Sequence, residues 1–181
     1  MAPVTRTIFV DYSQYYIHGD DYDTSQWSYD NFNGLVGVLD AQGHPCDPGE
    51  FAVVITGLNS GEVCVTVDVR AEPPTVVDRG EWDEIVEASL TLGGSRPGLS
   101  TMIPTDGLME LPDFSQAGPG PYRVRVHARG RDAANELMDL PEGTEPVEEH
   151  LIQVWGAPAT PLYVHKQTDT YGKTMLPAPG A

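Results

Sequence analysis

The sequence predicts an all-β fold, an antiparallel β-sandwich of about eight or nine short strands with at most one short helix. Three observations predict it. Apolar and polar residues alternate with period two over several short stretches, glycine and proline cluster between those stretches, and a single segment has helix-forming composition. The chain has 19 glycines and 16 prolines in 181 residues, and most of them fall between the alternating runs.

Thr5 to Ile17 is rich in β-branched and aromatic residues, among them Ile8, Phe9, Val10, Tyr12, Tyr15 and Tyr16, as strands favour. Leu35 to Leu39 and Phe51 to Thr56 are short apolar runs. From Glu62 to Arg70, Val63, Val65, Val67 and Val69 share one face, while Cys64, Thr66, Asp68 and Arg70 share the other. With Gly57-Leu58-Asn59-Ser60-Gly61 as the turn, 51–70 reads as the clearest hairpin. Trp82 to Leu92, Leu108 to Leu111, Tyr122 to Ala128 and Val147 to Trp155 read as further strands. Asp132 to Leu140 reads as the one short helix, carried by Ala133, Ala134, Glu136, Leu137 and Met138 and stopped by Pro141 and Gly143. A single domain is expected over 1–165, followed by a loosely held tail over 166–181 that lacks periodicity.

The charge is far from balanced. Ten Lys and Arg stand against 27 Asp and Glu, a formal net charge of −17, where a small domain carries roughly 2 to 8 in magnitude. Such a chain repels nucleic acid and anionic membranes and attracts basic partners, although solubility in a salty medium demands the same composition. No apolar run resembles a signal peptide or a membrane span. A cytoplasmic protein with both cysteines, Cys46 and Cys64, reduced is therefore expected.

Catalytic signatures are thin. There is no Gly-x-Ser-x-Gly elbow, phosphate loop, Cys-x-x-Cys pair or His-Glu-x-x-His. His44, Cys46 and Asp47 share a loop but lack the second ligand pair of a zinc site. Asp20, Asp21 and Asp23 are oxygen-rich but lack the glycine and closing glutamate of a calcium loop. His127 and His150 are candidates for meeting in space. No cofactor, metal or catalytic residue is assigned.

Two segments read as partner-binding surfaces. In the first, Asp20, Asp21, Asp23 and Asp30 interleave with Trp27 and Tyr29, giving aromatic anchors inside a charged rim. The same aromatics folded over the core are the structural alternative. In the second, Glu136, Asp139, Glu142 and Glu145 belong to a run over 132–149 without Lys or Arg. Arg123, Arg125, Arg129 and Arg131 precede it, so a cross-strand ion-pair face is the alternative there.

The run Phe9-Val10-Asp11-Tyr12-Ser13-Gln14-Tyr15-Tyr16-Ile17 resembles the N-terminal motif of the competence protein J group, a family that includes a nuclease inhibitor. Gly120-Pro121-Tyr122-Arg123-Val124-Arg125-Val126 and Glu148-Glu149-His150-Leu151-Ile152-Gln153-Val154-Trp155 are similar to it in order and spacing. The resemblance covers about 13–155 as a strand pattern and about 25 residues as motif. It implies a small β-rich protein that inhibits a nuclease by binding it. It carries over no site residue, because the matched positions read as core strands, and the 132–149 stretch departs from the pattern. The leading expectation is a non-enzymatic inhibitor or immunity-type binder of a basic protein, with a nuclease as the candidate partner and no binding to nucleic acid or membrane. A small-ligand or carbohydrate-binding sandwich using Trp27 and Tyr29 is the second reading. A metal-dependent hydrolase, needing three convergent His or carboxylate groups, is the third.

Overall fold

The computed structural model describes residues 1–29 and 32–179. In chain order the elements are β1 (Val4–Val10), β2 (Gln14–His18), β3 (Val36–Leu39), β4 (Phe51–Ile55), β5 (Gly61–Arg70), β6 (Glu84–Leu92), β7 (Gly98–Ser100), α1 (Asp106–Met109), β8 (Gly120–Arg129), α2 (Arg131–Leu137), β9 (Glu149–Gly156), β10 (Tyr163–Gln167) and α3 (Thr170–Lys173). All-β is the correct class.

Alternation in the two longest strands sets the layers. Val63, Val65 and Val67 of β5 are fully buried, and Tyr122, Val124, Val126 and Ala128 of β8 are buried beside them. These faces belong to a six-stranded sheet of order β1-β5-β9-β8-β6-β10. Tyr15 and Ile17 of β2, Val36 and Val38 of β3, and Ala52 and Val54 of β4 come from a four-stranded sheet of order β3-β4-β2-β7. Both sets join one core cluster, so the two sheets share a single apolar interior. A fully buried branched side chain contributes about 1.5–3 kcal/mol, and this interior holds the layers together.

Several expectations are corrected. The larger sheet is mixed rather than antiparallel: β5 runs parallel to β9, with Val65 opposite His150 and Val69 opposite Val154. Among the described residues three short helices occur instead of one. Leu108 to Leu111 is no strand, because Leu108 N bonds Thr105 O and Leu111 N bonds Leu108 O, curling the segment into α1. The run 51–70 is no hairpin: β4 pairs with β2 and β3, whereas β5 pairs with β1 and β9. Its turn is a corner between sheets, with Leu58 buried in the shared core. Thr5 to Ile17 likewise turns a corner, at Tyr12 and Ser13, whose φ angles are 54° and 56°.

The aromatic loop after β2 lies back over the outer face of the smaller sheet. Tyr22, Trp27 and Phe32 pack there against Tyr16, Leu39, Phe51, Val53 and Ile55, joined by Tyr171 and Met175 from beyond β10. Trp27 sits so close over Gly37 that a Cβ at that position would meet its ring at 1.9 Å. The stretch from residue 166, which has no sequence periodicity, holds the end of β10 and all of α3, and Asp169 within it is buried.

Gly57 is required by packing: a Cβ there would lie 2.0 Å from the Arg131 carbonyl oxygen. Both partners are main chain, so neither can swing aside. Gly57→Ala is expected to cost about 1–3 kcal/mol, read as a lower urea midpoint, with no such loss in the control Gly143→Ala beyond its own positive-φ penalty.

Candidate binding surface

Three turns meet at one end of the molecule. The Tyr12–Ser13 corner, the 57–60 corner and the turn after α2 are laced by backbone bonds. Ser13 N donates to Asn59 O (3.0 Å), Asn59 N to Met138 O (2.7 Å) and Leu140 N to Ser60 O (2.9 Å). Asn59 Nδ2 adds a bond to Asp139 Oδ1 at 3.0 Å. Among the described residues, the non-glycine residues with positive φ are Tyr12, Ser13 and Met138, and all three sit here.

Met138 has φ 65° and ψ −61°. Asp139 N donates across it to Leu137 O at 2.8 Å, which makes a γ-turn of the rare, strained hand. Such strain costs roughly 1–3 kcal/mol and persists only where surrounding contacts enforce it. Here the enforced turn displays apolar side chains: Tyr12 is 65 % exposed, Leu137 51 % and Met138 56 %. Glu136, Asp139, Glu142 and Glu145 are exposed around or just after the turn. Glu136 lies near the C-terminus of α2, where no basic residue offsets the helix dipole.

The cations, by contrast, are engaged inside the fold. Arg123 and Arg125 both grip Glu87 of the adjacent β6, at 2.8 Å each. Arg129 binds Glu81 and Glu149, Arg131 binds Asp169, Arg70 binds Asp68 and Arg6 binds Glu110. Arg79, Arg96, Lys166 and Lys173 donate to main-chain carbonyls. All ten cationic side chains are thus engaged. The expected cross-strand ion pairs exist, but their carboxylates are mostly Glu81 and Glu87, and of the 132–149 acids only Glu149 joins an arginine of β8. Glu136, Asp139, Glu142 and Glu145 carry no ion pair among the described residues.

The first predicted segment is divided. Asp20 and Asp21 lie past the far end of β2, beside Gly93 and Gly94. That is about 13 Å or more of strand from Gln14. Asp23 is tied to Ala41 O at 3.2 Å, and Ser25 N holds its carboxyl below the usual range. Trp27 covers the smaller sheet. Tyr29 alone returns to the laced turns, where its hydroxyl donates to Tyr12 O at 3.4 Å and to Gln14; burial pushes that hydroxyl up to about 12. Asp30 lies outside the described residues. His127 and His150 do not meet. His150 pairs with Ala128 and His127 with Leu151, so the one-residue offset points them to opposite faces. Among the described residues no group of three or more His, Cys, Asp or Glu is placed to hold a metal, and no helix is long and apolar enough to cross a membrane.

A buried polar network underlies the surface. Glu148 accepts Gly57 N (3.1 Å) and Leu58 N (3.0 Å), binds His150 Nε2 at 2.8 Å, and His150 Nδ1 meets the Tyr15 hydroxyl at 2.7 Å. Burial, and then Glu148, hold the Tyr15 hydroxyl well above its usual value. Arg131, fully buried, binds Asp169 through two nitrogens (2.6 and 3.0 Å) and donates to Gly34 O and Ile55 O. Glu84 Oε1 accepts Thr168 N and Asp169 N, while its Oε2 has no partner. Burial and the neighbouring Asp169 carboxylate push Glu84 up to about 7.

No protein-family model matches the chain, and no curated protein matches it. Among solved structures, one described as "Crocagin biosynthetic gene J" is similar at a TM-score of 0.46 and 16 % identity, over 87 % of this chain and 100 % of that one. A likeness that low says nothing about function.

Because Glu84 is held above its ordinary value near 4.5, the folded chain keeps a proton that the unfolded chain has released. Stability should be greatest below pH 4.5 with respect to this group, fall as pH rises to about 7, and then level. Glu84→Gln is expected to flatten that slope, worth on the order of 3 kcal/mol, in urea midpoints measured across the range. Asp169→Ala strands a buried guanidinium and should cost about 3–5 kcal/mol in the same assay.

Proposed function

We propose that this two-layer β-sandwich is a non-enzymatic binding protein whose partner is a basic protein, engaged at the laced turns. The observation that carries the reading is the division of charge. Every cationic side chain is used within the fold, whereas Glu136, Asp139, Glu142 and Glu145 stand without cations beside exposed Tyr12, Leu137 and Met138. Apolar anchors inside a ring of one charge suit an interface, the anchors supplying affinity and the ring steering encounter.

A cationic groove of the kind a nuclease uses to hold phosphates is the partner surface that complements this pattern, since spaced carboxylates mimic a phosphate track. That partner class agrees with the inhibitor role implied by the resemblance to the competence protein J group. The rigid scaffold supports the reading, because turns tied by backbone bonds lose little entropy on binding.

Proteins retained by the immobilised chain from its native host should include a basic protein whose retention falls steeply between about 0.1 and 1 M salt, as the screening length drops from roughly 10 to 3 Å. Replacing Glu136, Asp139, Glu142 and Glu145 together by their amides should abolish that retention, and Met138→Asp should weaken it at least about tenfold. Retention indifferent to salt and to these changes would refute the reading.

A further inference from the structure

The two sheets leave one side open. Where β3, the edge of the smaller sheet, faces β10, the edge of the larger, lies a groove of about 710 Å³. That falls within the roughly 300–1,000 Å³ typical of small-molecule sites. Val36 and Val38 of β3 line one wall, Leu162 and Val164 line the other, and the rings of Trp27 and Phe32 contribute aromatic surface.

The groove is poorly suited to an added strand. Asn33 already accepts from Val36 N (2.8 Å) and donates to Val36 O (2.6 Å), and Cys46 N occupies Val38 O (3.0 Å). Arg79 Nε likewise takes His165 O on β10. With those edge groups engaged, a peptide would find few ladder partners. What the groove offers is an apolar slot for a compact ligand.

Charge selects the class of ligand. Of the described residues lining the groove, Asp47 is the one charged side chain; none is Lys, Arg or His. Asp47 is exposed, and its Oδ2 accepts Leu162 N at 2.7 Å, which fixes it at the junction of the two walls. The surroundings are also negative: after burial, the carboxylates of Asp40, Glu50 and Asp47 push the Cys46 thiol up. An anion is disfavoured here, whereas a cation finds both a counter-charge and aromatic rings.

We propose that this groove binds a small aromatic amine, with its ring in the apolar slot and its ammonium at Asp47. This assignment does not depend on the basic-protein reading, since its residues are separate from the laced turns.

Three probes share one ring and differ in charge: L-tryptophan amide (cation), N-acetyl-L-tryptophan amide (neutral) and N-acetyl-L-tryptophan (anion). Titrated into isotope-labelled protein up to about 5 mM, the cation should give saturable amide shifts on β3 and β10 and bind at least tenfold more tightly than the anion, about 1.4 kcal/mol. Asp47→Asn should bring cation and neutral probe to equal affinity. Val164→Trp, which fills the groove from an exposed edge, should remove binding of all three while leaving the melting temperature unchanged; if it unfolds the protein, the Asp47→Asn comparison decides. Absence of saturable shifts with every probe, equal binding of cation and anion, or shifts confined to the turns around Met138 would each overturn the proposal. Neutralising Glu136, Asp139, Glu142 and Glu145 should leave probe binding intact, so failure of the two functional readings can be told apart.

Discussion

The buried guanidinium of Arg131 is the constraint around which the molecule is arranged. It is fully enclosed, and it ties together segments that are remote in the chain: the start of α2, the carbonyls of Gly34 and Ile55, and Asp169 at the head of α3. Taking such a charge from water costs several kcal/mol, which a partner carboxylate offsets only with good geometry. Asp169 supplies that geometry in two-point form and also caps α3 through Gly172 N at 2.8 Å. The return is therefore in arrangement more than in net stability. An apolar residue of similar size would fill the same space without specifying which loop ends must converge there.

That arrangement reaches the surface through adjacent contacts. Arg131 O packs against Gly57, and Gly57 N and Leu58 N are held by Glu148, itself tied to His150 and Tyr15. The 57–60 corner, anchored from below, holds Met138 in its strained turn from above. Exposed Tyr12, Leu137 and Met138 are thus displayed by a chain of contacts that begins in the core. Display of this kind distinguishes the laced turns from the Asp20–Asp23 stretch, whose acids rest on glycines and loop backbone.

Legibility in the sequence followed the range of the interactions. Alternation along β5 and β8 assigned Val63 to Val69 and Tyr122 to Ala128 to the interior, because facing is a local, period-two property. Partners are not local. Nothing in Gly57-Leu58-Asn59-Ser60-Gly61 distinguishes a hairpin from a corner between sheets, and the deciding contact, Glu148, lies 91 residues from Gly57. The parallel pairing of β5 with β9 is invisible for the same reason. Of the candidate surface, Glu136 to Glu145 could be read from a run without cations. Tyr12 could not, since Asp11-Tyr12-Ser13 lacks the glycine or asparagine that usually marks positive φ. For Trp27 the sequence permits either a surface anchor or a cover on the core, and the seat of its ring over Gly37 depends on a long-range contact.

The ledger of charges also explains why net charge alone is a weak guide to a site. Arg123 and Arg125 converge on Glu87, with His165 adding a third donor at 3.0 Å; although burial works to raise that carboxyl, these donors hold it below its usual range. Two cations there satisfy one anion, so the larger sheet spends positive charge on its own outer face. With every Lys and Arg engaged, the surplus acids stand without a cation of their own. Carboxylates without an ion pair lie at several places, among them the turn beyond α2 and the stretch beyond β2, where Asp20 and Asp21 share a recess with Arg96. Of these two regions, one coincides with strained turns bearing exposed apolar side chains and the other does not. Charge identifies where repulsion goes uncompensated, and geometry then separates a surface built to be met from one that is merely solvated.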